Sequence, residues 1–122
     1  MAIKKILLDT NFLIDVARFK IDLSELHHLV SGGQLCVIFP VIEELEKIAH
    51  TKTKESRYAR AALFLASNLK KISVTGSADE ALLRMANEKT IVATNDRELR
   101  KKLIKAGVKT IYLRAKKHLA IG

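Results

Sequence analysis

Two hydrophobic periodicities alternate along this chain. Short runs rich in apolar and β-branched residues, suited to buried strands, occur at Ile3–Leu8, Leu35–Phe39, Ile72–Val74, Thr90–Thr94 and Val108–Leu113. Between them, apolar residues recur every three to four positions over Phe12–Ala17, Leu23–Val30, Val41–His50, Glu55–Leu69, Ala78–Asn87 and Asp96–Ala106, which predicts helices. Local signals agree. Gly32-Gly33 and Gly107 stand where helices should end, and Ser77 with Glu80, and Asn95 with Glu98, have the spacing of capping boxes. Strands alternating with helices predict an α/β fold with a parallel sheet of about five strands wrapped by helices. No linker, repeat or low-complexity tract interrupts the pattern, so one domain over residues 1–122 is expected.

Composition adds three constraints. Hydrophobic residues make up 48% of the chain, enough to build a core at this length. No apolar run reaches the roughly 18 residues of a membrane span. The start, MAIKKILLDTN, lacks a signal-peptide pattern, so a cytoplasmic protein away from membranes is expected. The lone Cys36, inside LCVIF, offers neither a disulfide nor a thiolate metal site.

Charge changes the picture more. Twenty-two Lys and Arg against 13 acids leave +9. A balance this basic points to a polyanionic partner, most often nucleic acid. A Lys-rich thermophile surface is the bland alternative, and nucleic acid is the preferred reading.

Two apolar runs end alike. ILLDTN closes the first strand run and IVATND the fourth, which puts Asp9 and Asp96 at strand ends on the same edge of a parallel sheet. Ligands gather beyond that edge. A single Asp there is commonly a helix cap, but Thr10, Asn11 and Asn95 are adjacent candidates for capping. Asp79 follows the Ser77 cap and borders the apolar stripe of its helix, facing a cleft. In VIEELEKI, Glu43 lies opposite the buried stripe, whereas Glu44 and Glu46 flank it on opposite edges, and geometry leaves that choice open. Carboxylates without His or Cys partners suit a hard divalent cation, Mg²⁺ or Mn²⁺. The four His residues, at 27, 28, 50 and 118, read as surface.

ILLDTNFL, PVIEEL, SADEAL and IVATNDRELRKKL resemble, in order and spacing, the four acidic motifs of PIN-domain nucleases. The resemblance runs through the whole chain and extends to archaeal PIN domains, to PIN nucleases of ribosomal-RNA processing and to VapC-type toxins. It implies a three-layer α/β/α sandwich and a metal-dependent endoribonuclease. Asp9, Glu44, Asp79 and Asp96 match the catalytic, metal-holding acids, which selects Glu44 over Glu46. Asn11 and Thr94 match the small polar positions that orient them, and Glu98 is a further supporting acid. From Arg97 to Lys117 there are nine Lys or Arg and one acid; Arg97, Arg100, Lys101 and Lys105 are the expected phosphate contacts. The implied partners are an RNA substrate, a cognate antitoxin or a ribosome-biogenesis factor, and a second copy in a homodimer.

Other classes fit less well. A phospho-receiver domain needs an Asp closing a central strand, but Leu35–Phe39 runs into Pro40. A haloacid-dehalogenase-type phosphatase needs Asp two positions after its nucleophile, where Asn11 stands. A non-catalytic RNA-binding module in a ribosomal-RNA maturation complex is the remaining alternative.

Overall fold

The computed structural model describes residues 3–122. The chain runs β1 (Lys5–Leu8), α1 (Thr10–Arg18), α2 (Glu25–Leu29), β2 (Gln34–Ile38), α3 (Phe39–Ala49), α4 (Lys54–Ala66), β3 (Lys70–Ile72), α5 (Ala78–Met85), β4 (Thr90–Ala93), α6 (Arg97–Lys105), β5 (Thr110–Arg114) and β6 (His118–Ile121). The strands form one sheet in the order β3-β2-β1-β4-β5-β6, parallel except that β6 runs antiparallel to β5.

This order determines where the helices lie. Right-handed crossovers that step one way along a parallel sheet place their helices on one face, and steps the other way use the opposite face. The chain steps from β1 to β2 to β3, then crosses back to β4 and on to β5. Helices α1–α4 therefore cover one face and α5 and α6 the other, giving three layers. Consistently, α4 packs on both α1 and α3, and α5 on α6. Strands covered on both faces should be apolar throughout. Ile6, Leu7 and Leu8 of β1 and Ile91, Val92 and Ala93 of β4 are all buried.

The two central strands, β1 and β4, pair with Leu8 opposite Ala93, and their connections leave in opposite directions. The reversal opens a crevice at their carboxyl ends, the usual ligand position in such sheets. Asp9 and Asp96 stand there.

Several expectations are revised. The sequence predicts five strands; a sixth, β6, closes the edge as a hairpin with β5. Its four residues, HLAI, follow a turn without Gly or Asn, so no ordinary hairpin signal marks it. Strand β3 lies at Lys70–Ile72 rather than Ile72–Val74, because an edge strand tolerates exposed lysines. Helix α3 starts two residues early, at Phe39, with Pro40 in its first turn where no amide donor is needed. Phe64 is 74% exposed. Among the described residues no helix is long and apolar enough to cross a membrane.

Candidate active site

The site is built outward from Asp9. Its backbone amide extends the sheet by one bond, donating to Ala93 O at 2.9 Å. Its side chain then caps α1: Oδ1 accepts from Thr10 N at 2.8 Å. Oδ2 accepts from the Thr94 hydroxyl, also at 2.8 Å. Burial, to 3% exposure, pushes the Asp9 carboxyl up to about 6; the Thr94 and Thr10 hydrogen bonds oppose this, and the charges of Asp79 and Glu44 add to it.

Thr94 is fully buried and connects two acids. Its oxygen, while the hydroxyl donates to Asp9, accepts from Asp96 N at 3.1 Å. Asn11 braces the same turn, its Oδ1 accepting from Asn95 N at 3.1 Å. Asp96 is itself the N-cap of α6, with Oδ1 accepting from Glu98 N at 2.9 Å and Leu99 N at 3.3 Å. Here the expected Asn95–Glu98 capping box is corrected. Asn95 instead spans the fold, donating through Nδ2 to Asp15 Oδ2 and accepting through Oδ1 from Leu113 N, each at 2.8 Å. Asp9 likewise caps its own helix, a role the sequence assigned to its neighbours. One carboxyl oxygen suffices for a cap, so capping and facing the cleft are compatible.

The other two acids arrive on helices. Glu44, on α3, accepts a hydrogen bond from the Thr10 hydroxyl. Asp79 sits in the first turn of α5, after Ser77, whose hydroxyl accepts from Glu80 N at 3.3 Å. Asp9, Glu44, Asp79 and Asp96, with Asn11, all line one open cleft of about 550 Å³. Thr10, Ile14, Lys47, Ile48 and Glu55 complete its wall. Glu46 is not among the lining residues; α3 presents Glu44 there, and Lys47 and Ile48 follow at the next turn on that face.

The basic residues singled out on α6 do not line the cleft. Arg97 and Glu98 are exposed on its first turn, and Lys105 is its last residue. Lys101 lies 3.9 Å from Glu98 in an exposed ion pair. The Arg100 guanidinium stacks on Tyr112, 3.7 Å from the ring centroid, and its buried Nε has no hydrogen-bond partner.

Sequence reasoning missed Lys47, Glu55, Asp15 and Asn95. Lys47 was legible, lying three positions after Glu44 on one helix face. Glu55 reaches the cleft only through the packing of α4 between α1 and α3, which no local pattern reveals.

The donors offered by the cleft are oxygens, the chemistry a hard divalent cation prefers. Among the described residues no three Asp, Glu, His or Cys side chains already stand close enough to share one ion. Glu44, Asp79 and Asp96 are more exposed than Asp9, so their side chains have room to turn toward it.

A parallel sheet with an acid-lined crevice at its switch point defines a class of α/β domain, and comparisons identify the family. The model of the PIN-like domain matches residues 6–116. The chain belongs to the PIN-like domain family. It is similar to Ribonuclease VapC4 of Methanocaldococcus jannaschii, 38% identical over 125 residues that cover 96% of this chain and 95% of that protein. In three dimensions it resembles the PIN domain endonuclease Utp24, with a TM-score of 0.78 and 27% identity over 96% of this chain and 90% of the other. A domain of a functionally unknown protein from Methanocaldococcus jannaschii shares the fold, with a TM-score of 0.69, 20% identity and 94% of each chain covered.

Proposed function

We propose that this protein is a divalent-metal-dependent endoribonuclease, acting as a toxin or as an RNA-processing nuclease. The observation that carries the reading is the convergence of Asp9, Glu44, Asp79 and Asp96 on one cleft at the switch point of the sheet. A nuclease uses such a cluster to hold a divalent cation, which offsets the negative charge that RNA brings and that carboxylates alone would repel. The ribonuclease and endonuclease named among its relatives support the same activity.

The four acids would hold Mg²⁺ or Mn²⁺, which when bound lowers the pKa of water and offsets charge on the phosphoryl group. The rest falls to the chain. Thr94 keeps the Asp9 carboxylate aimed and ties it to the Asp96 backbone. Asn11 and Asn95 fix the turn between β4 and α6, and Thr10 steadies Glu44. Glu98, on that turn of α6, is a supporting acid. Lys47, the cation lining the cleft, is placed to meet a phosphate oxygen. Arg97, Arg100, Lys101 and Lys105 extend positive charge along α6. A cognate antitoxin or a ribosome-biogenesis factor would be the protein partner, and a homodimer is the proposed assembly.

The test is cleavage of a labelled single-stranded RNA at catalytic protein concentration with Mn²⁺, with Mg²⁺ and with EDTA. Cleavage that EDTA abolishes, and that Asp96→Asn loses, is expected. Binding without cleavage under every metal condition would favour the non-catalytic RNA-binding module instead.

A further inference from the structure

Away from the cleft, the turn between β5 and β6 combines charge with backbone strain. Lys117 N donates to Arg114 O at 3.2 Å, closing a four-residue turn. Both central residues, Ala115 and Lys116, have positive φ, 53° and 60°. This is the pattern of a type I′ turn, which normally takes Asn-Gly because side chains crowd the backbone in the left-handed region. Strain of this kind persists where surrounding contacts hold it, and it is frequent at functional sites.

The strained turn presents Arg114, Lys116 and Lys117, all exposed and none within ion-pair distance of an acid among the described residues. The Lys116 ammonium lies 5.7 Å from the centre of the Phe19 ring and the Arg18 guanidinium 5.1 Å, so the hairpin meets the end of α1. Lys20, also at positive φ (54°), adds a further exposed charge there. Strand β5 runs parallel to β4, so its carboxyl end lies on the same edge of the sheet as Asp9 and Asp96. Leu113 N is bonded to Asn95, the residue before Asp96, and Arg114 follows directly. The edge that carries the acids thus continues into a block of unpaired cations.

We propose that the Arg114–Lys117 turn, with Arg18 and Lys20, is a docking surface for the phosphate backbone of an RNA strand whose scissile bond lies in the cleft. This rests on the ribonuclease reading above. An acidic protein partner is the rival occupant. The charge of the patch favours RNA: Arg18 and Lys116 both stand over the Phe19 ring, and no acid pairs with Arg114, Lys116 or Lys117 among the described residues, although the exposed Phe64 shares a groove with Lys20. Backbone contacts of this type position a strand without reading its sequence. The left-handed turn projects Lys116 toward α1, where a relaxed Asn-Gly turn would have no side chain to project.

Three variants of the full chain separate charge from strain: R114Q/K116Q/K117Q, A115G, and A115N/K116G. Binding to a roughly 20-nucleotide single-stranded RNA is measured in EDTA across a salt series, with cleavage in Mn²⁺ of that RNA and of a tetranucleotide. The triple variant should bind the long RNA at least about tenfold more weakly at low salt. Its log–log salt slope should flatten by about 2, close to 0.7 for each lost contact on a single strand. Its tetranucleotide cleavage should be unchanged. A115G should keep full affinity. A115N/K116G should melt higher, by something on the order of 5 °C, and yet bind the long RNA more weakly. Equal salt slopes for wild type and triple variant, with wild type binding and cutting RNA, would overturn the docking surface alone. Wild type that neither binds nor cuts RNA would overturn the ribonuclease reading beneath it. Polyglutamate displacing the RNA as well as poly(U) at equal charge would assign the surface to an acidic protein.

Discussion

The Thr94 hydroxyl donates to Asp9 Oδ2 at 2.8 Å across 85 positions of sequence. The contact follows from the register of β1 and β4, which places Leu8 opposite Ala93 and so makes the next residues neighbours. Parallel pairing thus converts two similar strand endings, LDTN and ATND, into one constellation. Thr94→Val keeps the shape but removes the donor, leaving a buried carboxylate oxygen unpaired. We expect a loss of about 1–3 kcal/mol in chemical denaturation and a marked fall in cleavage. Thr94→Ser, which restores the hydroxyl, should recover most of both.

Asp9 also sets a pH dependence. Its carboxyl titrates near 6 in the folded protein, mainly because it is buried, against 3.8 as its ordinary value. Between those values the folded state holds a proton that the unfolded state has released. Stability of the metal-free protein should therefore be full below about pH 4, fall as pH rises to about 6 and level off above it. The amplitude is about 3 kcal/mol at most. Denaturation in EDTA at pH 4, 5, 6 and 7 measures it. Asp9→Asn, which cannot ionise, should lose this component of the slope.

Arg100 and Lys101 are neighbours with different surroundings. Charge reversal at either should weaken RNA binding if α6 faces the strand. Only Arg100→Glu should also destabilise the fold, by about 1–2 kcal/mol, because it alone gives up stacking on an aromatic ring. Lys101→Glu acts on an exposed side chain and should melt like wild type. Equal melting losses in the two would contradict this division.

Lys47 is expected to act on binding rather than on fold. Lys47→Gln should leave the melting temperature unchanged, since the side chain is exposed and makes no ion pair among the described residues. It should reduce affinity for many RNA sequences alike, with a salt slope about 0.7 shallower. If Lys47 only screened the acids, its loss would instead tighten Mn²⁺ binding and leave the RNA slope untouched.

What the sequence showed and hid divides along physical lines. Asp9, Asp79 and Asp96 were legible because short apolar runs and a period-3.6 pattern place them at strand ends and on a helix edge, and a parallel sheet brings such ends together. Glu44 needed more: the helical wheel could not separate it from Glu46, and the resemblance to PIN-domain nucleases did. The structure brings Glu44 and not Glu46 to the cleft. The capping assignment failed at Asn95 because its partners, Asp15 and Leu113, are far away in sequence. Strand β6 was hidden because Ala115-Lys116 is a turn without turn residues. Local rules broke where the chain stores strain, at the β5–β6 turn, and where it uses long-range polar contacts, at Asn95 beside the proposed site.

The central claim is that four acids form one metal site, and Asp96→Asn tests it most directly. Asn caps a helix about as well as Asp, so the bonds to Glu98 N and Leu99 N should survive the change. With EDTA, wild type and variant should melt within a degree or two of each other. With Mn²⁺ at about 100 times its dissociation constant, wild type should gain roughly 2.7 kcal/mol, a shift on the order of 10 °C. The variant should gain little of it. Four melting curves, each protein with EDTA and with Mn²⁺, decide the matter: a metal shift confined to wild type is the result this account requires, and equal shifts in both proteins would contradict it.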